Sequence, residues 1–171
     1  MITNDIRLRA LETDDFPFFY QWENNPDEIG KGNNLQPISG FVIQEFIQNA
    51  TRPVEEVGQL RLVITSNQNE PLGFIDLFEI DFRQRRAGIG VLIGEVKYRN
   101  RNYATEAVRL MCQYARNVLN LELIFADIRT DNLASIRVFQ KAGFHDTVHL
   151  PAWDCIAGVR YDCLRTFLKL L

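Results

Sequence analysis

The stretch from Arg86 to Leu119 constrains this chain most strongly. An apolar, glycine-flanked run, GIGVLIG, passes through a polar loop, YRNRN, into the helix-forming run YATEAVRLMCQYARNVL. Ala104, Ala107, Val108, Met111, Ala115 and Val118 recur at helical steps, which predicts an amphipathic helix over Tyr103–Leu119. A strand that enters a helix through so short a loop leaves the first helical N–H groups unpaired. Together with the helix dipole these form an anion site. A backbone that curls around an anion needs positive φ, which glycine adopts most readily and Asn next. Asn100 and Asn102 are the candidates for those positions, and Arg99 and Arg101 add charge for phosphate oxygens. The same residues also read as an ordinary Asn-rich turn, and taken alone they leave both readings open.

The rest of the chain alternates strand and helix patterns without repeats or a linker. IRLRALE alternates as a first strand, and TDDF opens a helix through about Trp22. ENNPDEIGKGNNLQP is turn-rich, and Ser39 is placed to cap a helix over Gly40–Asn49. QLRLVIT and PLGFIDLFEI read as a hairpin joined by SNQNE. ELIFADI is apolar enough for a buried strand. NLASIRVFQKAGF reads as a helix capped by Asp131 or Asn132 and stopped at Gly143. Two last strands are expected over Phe144–Leu150 and Val159–Leu170. This order predicts a single α/β domain over 1–171, with a mixed, mostly antiparallel sheet of six to seven strands and about four helices on both faces.

Charge is uneven along the chain. Residues 1–60 carry ten acids and four bases, net −6, while residues 61–171 are net +3. Either surface charge fluctuates, or the first third faces a cationic partner and the remainder an anionic one. No dense Lys/Arg run interleaved with aromatics suggests nucleic acid, and no apolar run reaches the roughly 20 residues of a membrane helix. The beginning, MITNDIRLRA, lacks a signal-peptide pattern, so the expectation is a cytoplasmic protein. Cys112, Cys155 and Cys163 form no C-x-x-C and are expected as reduced thiols. With only His145 and His149 beside them, at no familiar ligand spacing, no metal site is expected.

The loop RNRNYATEA resembles motif A of the GNAT superfamily of N-acetyltransferases, whose loop reads Arg/Gln-x-x-Gly-x-Gly/Ala. In the ribosomal-protein and polyamine acetyltransferase branch the loop is similar to Gly-Lys-Gly-Tyr-Ala-Thr-Glu-Ala. YATEA is identical to it, and Asn100 and Asn102 stand where the branch has glycines. DNLASIRVFQKAGF resembles the branch's Asn-x-x-Ser-x-Arg-x-x-x-Lys-x-Gly-Phe helix at Asn132, Ser135, Arg137, Lys141, Gly143 and Phe144. GVRYDC resembles its last strand, with Asp162 at the usual acid. The resemblance covers nearly the whole chain and lies nearest to spermidine/spermine acetyltransferases and their amine-acetylating relatives.

That resemblance implies acetyl transfer from acetyl-CoA to a primary amine, with polyamine-like amines first. It implies that Arg99, Asn100, Arg101, Asn102, Tyr103, Ala104 and Thr105 hold the pyrophosphate. Backbone groups of Val91, Leu92 and Ile93 would pair with pantetheine, beside Asn132 and Ser135, where two strands splay. An alkylamine with a pKa near 10.4 is charged at neutral pH, so a base must take its proton and an acid should meet the departing thiolate. Glu79 is the expected base, and Ser135 an expected catalytic partner at the sulfur. Glu23, Asp27, Glu28 and Glu79 are the expected amine-side carboxylates, while Arg137 and Lys141 read as solvated charges. The chain departs from the branch at Phe139, where relatives carry Tyr, and at Gly88, where they carry an acid. Oligomers are frequent among polyamine relatives, so a homo-oligomer is possible. The alternatives are a protein N-terminal acetyltransferase and a CoA-binding regulator with weak catalysis.

Overall fold

A computed structural model describes residues 5–26 and 36–170. Seven strands form one sheet: β1 Ile6–Ala10, β2 Leu60–Ser66, β3 Pro71–Asp81, β4 Arg86–Ile93, β5 Leu123–Arg129, β6 Asp146–Ile156 and β7 Val159–Lys169. Their order is β1-β2-β3-β4-β5-β7-β6. Every neighbouring pair is antiparallel except β4 with β5. The described helices are α1 Phe16–Glu23, α2 Gly40–Asn49, the single turn α3 Val54–Val57, α4 Tyr103–Asn117 and α5 Leu133–Ala142.

Local chemistry places the helix ends. The Ser39 side chain accepts from the Val42 amide, so α2 begins where the cap predicts. Asn132 does the same for the Ser135 amide, and Gly143 ends α5 with φ 105°. The expected stripe on α4 is buried at Ala107, Val108, Met111 and Ala115, which are fully enclosed. Val118 is exposed because it lies beyond the last helical residue, Asn117.

Two cores cover the two faces of the sheet. Met111, Val108 and Ala115 of α4 pack on Ile75, Leu77, Ile89 and Ile124. On the other face Phe19, Trp22, Ile43 and Ile47 of α1 and α2 pack on Val63 and Phe74. Each fully buried side chain of this size stabilises by about 1.5–3 kcal/mol. The second core encloses a cation. Arg61 lies 4.7 Å from the Phe19 ring centroid and 5.2 Å from that of Phe74. It donates to Asp76 and Glu23, each at 2.6 Å. Burial pushes the Asp76 carboxyl above its ordinary value, and Arg61 draws it back.

Two elements differ from the sequence expectation. α3 was not expected; it follows Pro53 and closes on Gly58 at φ 68°. β6 was expected to stop at Leu150 but continues to Ile156 through a register shift between Leu150 and Asp154. Pro151 has no N–H to give, and Ala152 takes φ 50° in the irregular segment. Asp162 accepts the Ala152 amide at 2.8 Å and His149 Nε2 at 3.0 Å. Those contacts, the amide first, hold its carboxyl below the usual range.

Candidate active site

β4 and β5 run side by side for only three residue pairs, the last being Gly88 with Phe125. Beyond it β4 stays paired to β3, from Ile75–Val91 to Gly73–Ile93, while its other edge parts from β5. The gap opens into a cleft of about 640 Å³ between β4, the 99–105 loop and α5. Val91, Leu92 and Ile93 form one wall.

The loop forms the mouth. Asn100 and Asn102 both adopt φ 61°, the left-handed region the sequence assigns to them. Asn102 is the N-cap of α4 but makes no side-chain cap bond. The first amide in the helical ladder is that of Glu106, which donates to the Asn102 carbonyl at 3.0 Å. The amides of Tyr103, Ala104 and Thr105 precede it, at the positive end of a 15-residue helix. All seven residues from Arg99 to Thr105 line the cleft.

α5 supplies the opposite wall. Asn132 and Ser135 line it together, the Ser135 amide bonded to the Asn132 carboxamide at 3.1 Å. Arg137 and Lys141 line it too while remaining exposed, so the reading of them as solvated charges stands but did not include the cleft. A signal was available: neither has an acid three or four positions away on its own helix to pair with. With Arg99 and Arg101 the cleft is lined by four cations, and among the described residues by no carboxylate. Such a lining suits an extended polyanion with a thin apolar arm, and it fits coenzyme A in charge and in the exposed strand edge.

Phe139 points away from this chemistry. It is 3% exposed and packs edge-on against Phe144 with centroids 5.0 Å apart. Tyr98 and Tyr103 are the phenols on the lining, and the Tyr98 hydroxyl is bonded to Glu70. Tyr161 lies under Arg129 instead, 4.7 Å from its guanidinium carbon.

Of the carboxylates expected on the amine side, Glu23 and Glu79 lie within the described residues. The Glu23 carboxylate accepts from Arg61 at 2.6 Å, with its side chain 16% exposed. Asp27 and Glu28 lie outside the described residues. Glu79 does not line the cleft; it is exposed, with φ 49°, in the irregular segment between Phe78 and Asp81. It still lies beside the apex, because its neighbour Phe78 pairs with Gly88, where β4 and β5 part. Phe78 fills the space above that glycine: a Cβ on Gly88 would lie 2.3 Å from the Phe78 ring. Phe78 meets Phe125 edge-on, and Arg165 stacks over Phe125 at 4.7 Å while gripping Asp127 at 2.6 and 2.7 Å.

Among the described residues no group of three or more His, Cys, Asp or Glu could hold a metal, and no helix is long and apolar enough to cross a membrane.

Comparison with known proteins agrees with this architecture. The spermidine N(1)-acetyltransferase of Vibrio cholerae is 23% identical over 167 residues, covering 98% of this chain and 94% of that protein. The spermidine N(1)-acetyltransferase of Escherichia coli K12 is 27% identical over 141 residues, covering 82% and 73%. A crystal structure of the Vibrio cholerae spermidine N-acetyltransferase in complex with CoA and spermine superposes with a TM-score of 0.85 at 22% identity. It covers 98% of this chain and 97% of that one, and shows the shared fold. The sequence profile of the acetyltransferase (GNAT) domain matches residues 5–145. The splayed strands, the loop and the profile lead to one conclusion: this chain belongs to the GNAT family of acetyltransferases.

Proposed function

We propose that this protein is a cytoplasmic acetyl-CoA-dependent N-acetyltransferase whose acceptor is a primary amine of the polyamine class. The observation that carries the reading is the parting of β4 and β5 after Gly88 beside the left-handed loop at Asn100 and Asn102. The amides of Tyr103, Ala104 and Thr105, with Arg99 and Arg101, would hold the pyrophosphate of acetyl-CoA. The free backbone edge of Val91, Leu92 and Ile93 would bind the pantetheine arm, and an N–H there would polarise the thioester carbonyl. Asn132 and Ser135 would hold the arm and its sulfur from the side of α5. Acetyl-CoA supplies the acyl thioester; the chain supplies alignment and charge stabilisation.

The amine enters from the other side of the apex in this reading. Phe78 and Trp153 offer ring surface there, with Glu79 as a carboxylate, while Arg165 already engages the Phe125 ring and Asp127. Glu79 is our candidate base because it adjoins the apex and is open to solvent, which can carry the proton away. Relatives named for spermidine acetylation support the substrate class. Self-association fits as well: the edge strand β6 and its hairpin partner expose Val148, Trp153 and Val159.

The test is release of free thiol from acetyl-CoA in the presence of diamines and polyamines, set against peptides with free N-termini. Turnover with the amines supports the proposal. Turnover with the peptides alone would move the acceptor to protein N-termini, and tight CoA binding without turnover would make the protein a CoA-binding regulator.

A further inference from the structure

Arg137 and Lys141 are the two cations of α5. Among the described residues no carboxylate pairs with Arg137 or Lys141, although both line the cleft. Lys141 instead donates from Nζ to the carboxamide Oδ1 of Asn102 at 3.3 Å, a neutral acceptor. Its position is fixed from behind, because Arg109 donates to the Lys141 carbonyl at 2.6 Å and is itself held by Glu106. So the last turn of α5 is pinned to the first turns of α4, with an ammonium directed at the loop cap. A charge parked on a carboxamide exchanges readily for a phosphate, which gives a shorter and stronger charge-assisted bond.

Coenzyme A carries three phosphoryl groups, two in the pyrophosphate and one on the 3′ oxygen of the ribose. The proposed function assigns the loop amides with Arg99 and Arg101, at the mouth of the cleft, to the pyrophosphate. Resting on the reading of the cleft as an acetyl-CoA site, we infer that Arg137 and Lys141 form a separate subsite for the 3′-phosphate. Lys141 leaves Asn102 when this phosphate arrives. The subsite makes the enzyme selective for free CoA thioesters over those that lack the 3′-phosphate, such as acyl groups carried on a 4′-phosphopantetheine arm.

The experiment is titration calorimetry with CoA and with 3′-dephospho-CoA as probes, with thermal melts to establish that each variant is folded. The wild-type protein is expected to prefer CoA by roughly tenfold or more, the scale of one or two charge-assisted contacts. Arg137→Gln with Lys141→Gln should lose most of that preference by weakening CoA while leaving dephospho-CoA nearly unchanged. Lys141→Arg should keep it, and Arg116→Gln, an exposed charge removed at the far end of α4, should change nothing. A double variant that weakens both probes equally would assign the pair to the pyrophosphate and overturn the inference. Equal wild-type affinity for the two probes would overturn it as well, with the acetyltransferase reading intact. A wild-type protein that binds neither would overturn both.

Discussion

Asn100 and Asn102 share one backbone conformation, φ 61°, on either side of Arg101. Two left-handed residues flanking a cation turn the chain so that the amides before α4 face the cleft. The side chains matter less here than the torsions, since Asn102 makes no cap bond of its own. Asn100→Gly should therefore bind CoA within a few-fold of wild type. Asn100→Val forces a β-branched residue into a region that costs about 1–2 kcal/mol, so CoA affinity should fall roughly 5- to 30-fold. Calorimetry on the pair of variants checks this, and equal affinities would show that the torsion is not what shapes the loop.

Arg61→Met removes the cation that bridges Asp76 and Glu23, whose side chains are 15% and 16% exposed. Leaving the buried Asp76 carboxylate without this cation should destabilise the fold by about 3–5 kcal/mol at neutral pH. The pH dependence has a definite sign. Burial already holds the folded Asp76 carboxyl above its ordinary value, and loss of Arg61 removes the groups that lower it. A carboxyl raised in the folded state favours folding when protonated, and that contribution disappears as pH rises through the raised value. Urea melts should thus show the deficit narrowing as pH falls from 7.5 to 5. A deficit that widens in acid would contradict the arrangement.

Gly88 and Phe78 form a matched pair across β4 and β3. Gly88→Ala drives a methyl into the ring and should destabilise by about 1–3 kcal/mol, with an added loss of acetyl transfer because the strands part at this residue. Phe78→Leu in the same chain should restore much of the stability. Thermal melts of the two single variants and the double variant measure the coupling, and simple additivity would mean that the ring and the glycine are independent.

Glu79→Gln keeps the shape and removes the charge of an exposed residue, so stability should hardly change. If this carboxylate takes the amine proton, kcat should fall about 100-fold or more, with CoA affinity unchanged. Initial rates across pH decide it: unchanged turnover would pass the role to another group at the apex, with Asp127 the next to substitute.

Much of the fold was legible because its signals are local. Ser39, Asn132 and Gly143 act at the helix ends they mark, and the positive φ at Asn100 and Asn102 follows from a residue type that tolerates it. The cleft wall at Val91–Ile93 was accessible only through family resemblance, since the apolar run GVLIG also describes a plain core strand. What stayed hidden depends on contacts distant in sequence. Glu23 looked available for an amine, but Arg61, 38 residues away, holds its carboxylate. Lys141 is exposed as read, but its place on the cleft stayed hidden because its partner Asn102 is 39 residues earlier. β6 runs past Leu150, where the sequence reading ended it, and the Asp162 carboxylate that holds the strand through Ala152 lies on the next strand.

The central claim is acetyl transfer within this cleft, and the most direct measurement is thiol release from acetyl-CoA as spermidine or spermine is titrated in. The account predicts saturable release that depends on the amine, yields an N-acetylated product by mass spectrometry, and is abolished or strongly reduced in Asn102→Val. Release that is independent of the amine, or no release from a folded protein that binds CoA, would contradict it.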